Sequence, residues 1–314
     1  MEKIGKNTRV ELANGRPCTL HVGDLVAVVF GNRYATMQFE GYARAEGDTC
    51  DLLSMGGLCG LVESRHSGIA ESSKLRILGS VAGPDGRPLR LRDFALPRRT
   101  GGAPELSVVV VCGSSMDAGK TYTAASLIAG LRKVTDRVAG IKLTGTAAGR
   151  DSWTMLDAGA CTVLDFVDGG YPSTYLVSLP ELLDLHQLLL EEAAARGAKW
   201  AVVEIADGLL QGETAALIQS RAFTRTVDAW VFAAGDPLAA VSGVKILSGW
   251  GITPLGISGR VTMSPLCVRE ASAATGMTCF SAADLQAGRV NHQIAETALP
   301  PAGVQDHPAA VGVA

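Results

Sequence analysis

A lysine and a threonine follow two glycines in the segment GSSMDAGKT, residues 113–121, in an order suited to binding phosphate. Backbone N–H groups of such a loop, and of the helix that follows it, can point together at one polyanion. Lys120 would reach the β- and γ-phosphates of a nucleotide, and the Thr121 hydroxyl would bind Mg²⁺. The usual motif has one residue fewer than the five that Gly113 and Gly119 enclose. We therefore predict nucleotide-binding roles for Gly113, Ser114, Ser115, Met116, Asp117, Ala118, Gly119, Lys120, Thr121 and Tyr122.

Two further apolar stretches lead into charged residues. Glu204 lies near the end of KWAVVEI, residues 199–205, and Lys142 near the end of RVAGIKL, residues 137–143. An acidic residue after an apolar strand is the usual position of a magnesium ligand or of a group that orients water in a nucleotide site. Burying that carboxylate is costly unless a cation compensates it. Lys142 is placed to neutralise a phosphoryl group during transfer.

Polar residues after these stretches are candidates for binding substrate or metal. Asp151 would complete the shell of the metal or accept a proton, and Arg150 would clamp an anionic substrate. The polar segment DFVDGGYPSTY, residues 165–175, is typical of a substrate loop, with an ordered turn as the alternative. The predicted metal ligands are Thr121, Asp151 and Glu204. The predicted substrate residues are Thr144, Thr146, Arg150, Asp207, Gly208, Tyr171, Ser173 and Thr174.

Regular elements must hold these residues, and apolar spacing predicts alternating strands and helices from Ser107 onward. The run VVVV, residues 108–111, is typical of a buried central strand in a parallel sheet. The predicted strands cover 107–112, 137–143, 161–167, 199–205, 228–233 and 252–258. The predicted helices cover 119–134, 180–196, 212–224, 236–248 and 264–275. This order predicts an α/β fold with a doubly wound, mostly parallel sheet and a ligand at the carboxyl ends of its strands.

The first part of the chain has a different pattern. Residues 1–100 contain short apolar runs separated by turn residues and predict a small β-barrel or sandwich domain. A scaffold role is favoured for it over covering the active site, forming a subunit interface or binding a ligand. We predict a linker at 101–106, the α/β domain at 107–298 and a disordered tail at 299–314.

Composition narrows the class of protein. The 314 residues include 47% hydrophobic residues, enough for a sizeable core, and carry a net charge of −3. This charge predicts neither a nucleic-acid partner nor a membrane partner. Seven cysteines without a CxxC spacing indicate reduced thiols in a cytoplasmic protein rather than disulfides or zinc.

Three segments resemble the dethiobiotin synthetase family of P-loop NTPases, whose relatives include cobyrinic acid amide synthases and the ParA/MinD proteins. They are GSSMDAGKT at 113–121, with the same glycine spacing, GIKLTGT at 140–146 and VVEIADGLL at 202–210. The stretch YPST at 171–174 is a weaker match. Ser115 stands where this family has an aspartate and where ParA/MinD proteins have their signature lysine, which disfavours a partitioning ATPase. The β-rich first part has no counterpart in dethiobiotin synthetases.

The resemblance implies an enzyme, a kinase or ligase that uses ATP and Mg²⁺ to phosphorylate a carboxylate or carbamate of a small molecule, often as a homodimer. It implies catalytic roles for Lys120, Lys142 and Asp117, the last near the substrate or metal. Two alternatives stay open. One is a nucleotide-dependent accessory GTPase or ATPase, or a metallochaperone. The other is an N-acyltransferase that uses this fold to bind coenzyme A.

Overall fold

The computed structural model of the protein describes residues 1–99 and 106–298. The predicted linker, apart from Leu106, and the predicted tail therefore lie outside the described residues. Within the described part of the chain, no helix has the length and apolar character needed to cross a bilayer.

Residues 1–99 form mainly short strands, as predicted. These are β1 (Arg9–Glu11), β2 (Pro17–Thr19), β3 (Val29–Phe30), β4 (Phe39–Tyr42), β5 (Thr49–Leu52), β6 (Leu58–Arg65) and β7 (Ser73–Arg76). Strands β1 and β2 pair with each other. The other strands form a five-stranded sheet in the order β3-β6-β5-β7, with β4 also paired to β6. Only the β3–β6 pair is parallel among them. A short 3-10 helix, Leu91–Phe94, was not predicted.

Residues 106–298 form the predicted alternating α/β structure. Its elements are β8 (Ser107–Gly113), α1 (Lys120–Leu131), β9 (Val138–Lys142), α2 (Gly149–Asp157), β10 (Thr162–Asp165), α3 (Leu179–Ala195), β11 (Trp200–Glu204), α4 (Gly212–Gln219), α5 (Arg221–Thr224), β12 (Ala229–Ala233), α6 (Pro237–Gly249), β13 (Gly256–Ser258), α7 (Pro265–Thr275), α8 (Ala282–Gln286) and α9 (Asn291–Ala298). The predicted helix at 212–224 is broken at Ser220, which ends α4 and precedes α5. Helices α2, α8 and α9 were not predicted.

One six-stranded sheet organises this region, in the order β10-β9-β11-β8-β12-β13 with every pair parallel. Two apolar cores cover its faces. One contains side chains of α1, α8 and α9, and the other contains side chains of α3, α4 and α6. Helices on both faces of a parallel sheet make the fold doubly wound, so the predicted fold class is confirmed.

Close backbone approaches join the two regions. A side chain at Gly56, between β5 and β6, would collide with the carbonyl group of Ala147, which follows β9. A Cβ on Gly31, after β3, would lie 3.1 Å from the side chain of Pro172, which follows β10. The small sheet therefore packs against segments that leave the carboxyl ends of the parallel strands. The predicted domain boundary itself stays a prediction.

Candidate functional site

Strand register places the predicted site residues at one edge of the sheet. Glu204 pairs with Lys142 across β11 and β9, and it pairs with Val111 across β11 and β8. The phosphate loop leaves β8 at the same edge. Because parallel strands end together, residues separated by more than 80 positions in the chain meet here.

The phosphate loop curves around the side chain of its own lysine. Gly119 has a φ of 99° immediately before α1, a conformation that favours glycine. A Cβ on Gly113 would lie 2.7 Å from Lys120 Cγ, so glycine gives the lysine room to fold back. Lys120 Nζ donates to the carbonyl oxygen of Ser115 at 2.8 Å. Burial lowers the pKa of Lys120, because removing an ammonium group from water disfavours its charged form.

Thr121 and Glu204 form the centre of the site. The Thr121 hydroxyl donates to Glu204 Oε1 at 2.8 Å. The Glu204 side chain belongs to a residue that is only 2% exposed, and its Oε2 is buried with no hydrogen-bond partner. A buried oxygen without a partner is costly and therefore points to a ligand.

The donor set at Thr121 and Glu204 fits Mg²⁺ bound together with a nucleotide. No group of three or more His, Cys, Asp or Glu side chains suited to a metal occurs in the described part of the chain. Mg²⁺ in phosphoryl-transfer sites commonly takes one or two protein ligands and completes its octahedron with phosphate oxygens and water. A hydroxyl beside one carboxylate matches this arrangement.

Lys142 and Asp151 form an ion pair across the opening of the site. Asp151 lies in the first turn of α2, so the position of this helix sets the position of the carboxylate. The carboxylate of Asp151 that was predicted to bind a metal is the group that pairs with Lys142 in this structure.

A glutamate from the two-stranded pair β1–β2 holds the start of α2. Ala148 precedes the helix and provides no side-chain cap. Glu11 Oε2, at the end of β1, instead accepts the backbone N–H of Gly149 at 2.7 Å. Helix N-termini have N–H groups without partners inside the helix, and a carboxylate also interacts favourably with the helix dipole. The first region of the chain thus fixes the helix that carries Arg150 and Asp151.

Asp207 lies in the field of three positive side chains of the site, those of Lys120, Lys142 and Arg33. Burial raises the pKa of Asp207, while the nearby charges of Lys120, Lys142 and Arg33 oppose that shift. The next residue, Gly208, lies against the phosphate loop, because a Cβ there would be 2.5 Å from the Ser114 carbonyl oxygen. Gly208 therefore packs against the backbone of the phosphate loop, whereas Asp207 lines the cavity described next.

A cavity of about 590 Å³, here called the phosphate-loop cavity, connects these groups. The predicted residues that line it are Met116, Asp117, Gly119, Lys120, Thr121, Tyr122, Lys142, Thr146, Arg150, Asp151, Glu204 and Asp207. Thr144 is instead buried and bonded to the carbonyl oxygen of Ala206. The lining does not include Gly113, Ser114, Ser115 or Ala118, which form the body of the loop.

The residues of the predicted substrate loop at 165–175 divide between two places. Ser173 and Thr174 are buried, and Thr174 Oγ1 accepts the backbone N–H of Gly145 at 2.8 Å. These two residues line a small cavity beside the phosphate-loop cavity. Tyr171 lies elsewhere, with the guanidinium of Arg92 5.0 Å from its ring centroid.

The segment between β3 and β4 lines the phosphate-loop cavity, which the sequence did not predict. Arg33, Tyr34 and Ala35, between β3 and β4, belong to its wall, as does Arg260 after β13. Arg33 is 8% exposed and donates to the carbonyl oxygen of Leu53 and to the side chain of Gln38, while its Nε has no partner. Burial lowers the pKa of Arg33 to about 10, and the charge of Asp207 opposes this shift. An arginine and a tyrosine in GNRYATMQFE, residues 31–40, were the available signal.

Comparisons with known proteins give no family. No family model matches the chain, and no curated protein matches it. A solved structure of a DUF1611 family protein from Anabaena variabilis is 16% identical, with a TM-score of 0.42, and the match covers 66% of this chain and 63% of that one. The chain thus spans less than two thirds of that protein.

Two other solved structures are similar over part of the chain. The 54 kDa signal recognition particle protein from Aeropyrum pernix K1, in complex with GDP, is 16% identical with a TM-score of 0.40, covering 63% of this chain and 49% of that one. The kinase domain of the Escherichia coli tyrosine kinase ETK is 18% identical with a TM-score of 0.36, covering 49% of this chain and 66% of that one. At these scores, function must be argued from the residues of this chain.

Proposed function

We propose that the protein is an enzyme that transfers the γ-phosphoryl group of ATP, with Mg²⁺, to the carboxylate of a small molecule. The observation that carries this proposal is the buried, unpartnered Oε2 of Glu204 beside the Thr121 hydroxyl. In a nucleotide site a carboxylate placed in this way holds the cation that accompanies the phosphates. The resemblance of three segments to dethiobiotin synthetases supports a carboxylate or carbamate as the acceptor. By the same resemblance we propose a homodimer.

The residues of the cavity suit the charge changes of this reaction. An acceptor carboxylate oxygen forms a bond to the γ-phosphorus while the bond to the β-phosphate oxygen breaks, giving an acyl phosphate and ADP. An ionised carboxylate has no proton to lose, so the step needs no general base. Bound Mg²⁺ would neutralise charge on the phosphates. Lys120 and Lys142 would stabilise the transferred group, and Arg150 and Arg33 would attract the acceptor's negative charge.

The pairing of Lys142 with Asp151 suggests how the lysine is kept in place before substrates bind. Asp151 compensates a buried ammonium group that would otherwise be costly. When an anionic acceptor enters, Lys142 can exchange or share this partner. Most of the rate acceleration would then come from position and charge, as is general for phosphoryl transfer.

Replacing Lys120 tests the proposal. In Lys120→Ala we expect ADP formation stimulated by carboxylic acids to fall by about 10²-fold or more, since a buried cation at the phosphates is lost. The far-ultraviolet circular dichroism spectrum should be unchanged. Lys133→Ala, just after the same helix and exposed, is the matched control and should keep full activity. Full activity in Lys120→Ala would refute the assignment of the phosphate loop.

A further inference from the structure

A second cavity, mostly apolar, has Tyr34 in its wall and no residue of the phosphate loop. We call it the apolar chamber; it has a volume of about 450 Å³ and is lined chiefly by Tyr34, Tyr175, Leu176, Val177, Leu179 and Leu210. Leu210 is 84% exposed and Leu176 is 56% exposed, although both belong to segments next to the site. Large apolar side chains left in water beside a polar site commonly mark a place where a ligand binds.

The wall of the apolar chamber is held in a defined shape. Leu176 has a φ of +65°, which is uncommon for a leucine. Its backbone N–H donates to Glu213 Oε1 at 2.6 Å, which holds the leucine in this conformation. Glu213 Oε2 accepts from the side chain of Gln211, so both carboxylate oxygens of Glu213 are occupied. The leucine is thus fixed facing the chamber by groups that are themselves bonded.

A small polar cavity of about 10 Å³, here called the neck, shares wall residues with the apolar chamber and with the phosphate-loop cavity. The neck shares Tyr34, Thr146 and Asp207 with the phosphate-loop cavity. It shares Tyr34, Tyr175 and Glu213 with the apolar chamber. The rings of Tyr34 and Tyr175 lie 5.5 Å apart between their centroids. Burial and the charges of Asp207 and Glu213 raise the pKa of Tyr34, consistent with its place between the two cavities.

The two larger cavities, which both have Tyr34 in their walls, differ in chemistry. The phosphate-loop cavity contains the cationic groups of Lys120, Lys142 and Arg33. No lysine, arginine or histidine is among the described residues that line the apolar chamber. A second carboxylate on a ligand would therefore have no cationic partner in the chamber, and the carboxylate of Glu213 in the chamber wall would repel it. An alkyl chain would cover Leu176 and Leu210 and release water from them.

We propose that the apolar chamber binds the tail of the phosphoryl acceptor, which is a monocarboxylic acid with an alkyl chain. Its carboxylate lies in the phosphate-loop cavity, and its chain passes beside Tyr34 into the chamber. This inference rests on the proposed function, because it is the proposed transfer that makes the carboxylate the reacting end. It excludes dicarboxylates of the same length as good substrates.

Direct binding tests the chamber without relying on turnover. Hexanoate, octanoate, decanoate and octanedioate are titrated calorimetrically into the wild-type protein in the absence of nucleotide. We expect the affinity to rise about four-fold with each buried methylene group. Octanedioate should bind at least about ten-fold more weakly than octanoate, because its second carboxylate would lose water without gaining a cation.

Three variants locate the binding. Ala216→Trp would fill the chamber from α4, and Leu210→Asp would place a charge at its wall; both should weaken octanoate binding at least about ten-fold. Leu238→Asp is the matched control, since Leu238 is 75% exposed but lines none of the three cavities. It should bind octanoate as the wild type does. Unchanged octanoate binding in both chamber variants would overturn the proposal, as would equal binding of octanoate and octanedioate.

Measuring ADP formation on the same samples separates the two hypotheses. Binding that follows chain length, without ADP formation stimulated by the acids, would support the chamber and refute phosphoryl transfer to them. ADP formation stimulated equally by acetate, octanoate and octanedioate would overturn the chamber and leave phosphoryl transfer standing.

Discussion

At the scale of single residues, the site depends on how its few charges are compensated. Glu204 lies among buried groups with one oxygen bonded to Thr121 and the other without a partner. Lys142 pairs with Asp151, whereas Lys120 donates, among the described residues, only to the carbonyl oxygen of Ser115. The groups with incomplete partners are those that we expect a nucleotide and Mg²⁺ to satisfy. The paired groups would hold their geometry before binding.

Glu204→Gln should separate the binding of Mg²⁺ from the binding of nucleotide. The amide keeps the size of the side chain and can still accept from Thr121, but it loses the charge that attracts the cation. Mg²⁺ should raise the affinity for ATP in both proteins. We expect the ratio of the affinity with Mg²⁺ to the affinity with EDTA to be about 10- to 100-fold smaller in the variant than in the wild type. Affinities measured with Mg²⁺ and with EDTA give this ratio directly.

The control for this prediction is Glu270→Gln, an exposed glutamate in α7. Like Glu204→Gln, this variant loses one negative charge, but Glu270 does not line the phosphate-loop cavity. Its Mg²⁺ dependence should equal that of the wild type. If Glu204→Gln also kept the full effect of Mg²⁺, Glu204 would not be the metal ligand.

The sequence predicted the positions of Lys120, Lys142 and Glu204 because they depend on local order and one general rule. A charged residue after an apolar strand must lie at the strand end, and parallel strands end at one edge. The pairing of Lys142 with Asp151 could not be predicted in this way. It depends on the orientation of α2, which lies between the strands in sequence but obtains its cap from another region.

At the scale of elements, α2 shows why one helix escaped prediction. Its first residue is Gly149 and its N-cap is Ala148, neither of which signals a helix start. The missing cap comes from Glu11, which lies 138 positions earlier in the chain. A local reading of residues 144–151 therefore shows a polar loop. The helix forms there because a distant side chain accepts its first N–H, that of Gly149.

Glu11→Ala should weaken both the fold and the site. Loss of the bond to Gly149 leaves a helix N–H without its partner, so we expect the free energy of unfolding to fall by about 1 kcal/mol. Because α2 carries Asp151, turnover should fall as well. Glu11→Gln keeps an oxygen that can accept the N–H of Gly149, so it should retain most of the free energy of unfolding and most of the turnover. Urea unfolding and ADP formation measure the two effects.

The matched control is Glu63→Ala, an exposed glutamate on β6 paired with Arg44. Surface ion pairs of this kind contribute little to stability. The variant should unfold as the wild type does. A Glu11→Ala protein with wild-type stability and turnover would show that α2 does not need this contact.

At the scale of the whole molecule, residues 1–99 contribute side chains to the neighbourhood of the α/β region's site. They supply Glu11 to α2, and they supply Arg33 and Tyr34 to the wall of the phosphate-loop cavity. The turn residues of the first 100 positions predicted a β-rich region correctly. These turn residues do not indicate which of their loops contacts the parallel sheet, which is formed by residues more than 70 positions later. The contribution of Arg33 and Tyr34 to the phosphate-loop cavity therefore could not be predicted.

We expect the phosphate-loop cavity, whose wall contains residues of both regions of the chain, to bind ATP together with Mg²⁺. Calorimetric titration of the wild-type protein and Lys120→Ala with ATP, GTP and acetyl-coenzyme A, each with Mg²⁺ and with EDTA, tests this expectation most directly. We expect ATP to bind most tightly, its binding to weaken in EDTA, and Lys120→Ala to lose most of the affinity. Tight binding of acetyl-coenzyme A without binding of ATP would contradict this expectation.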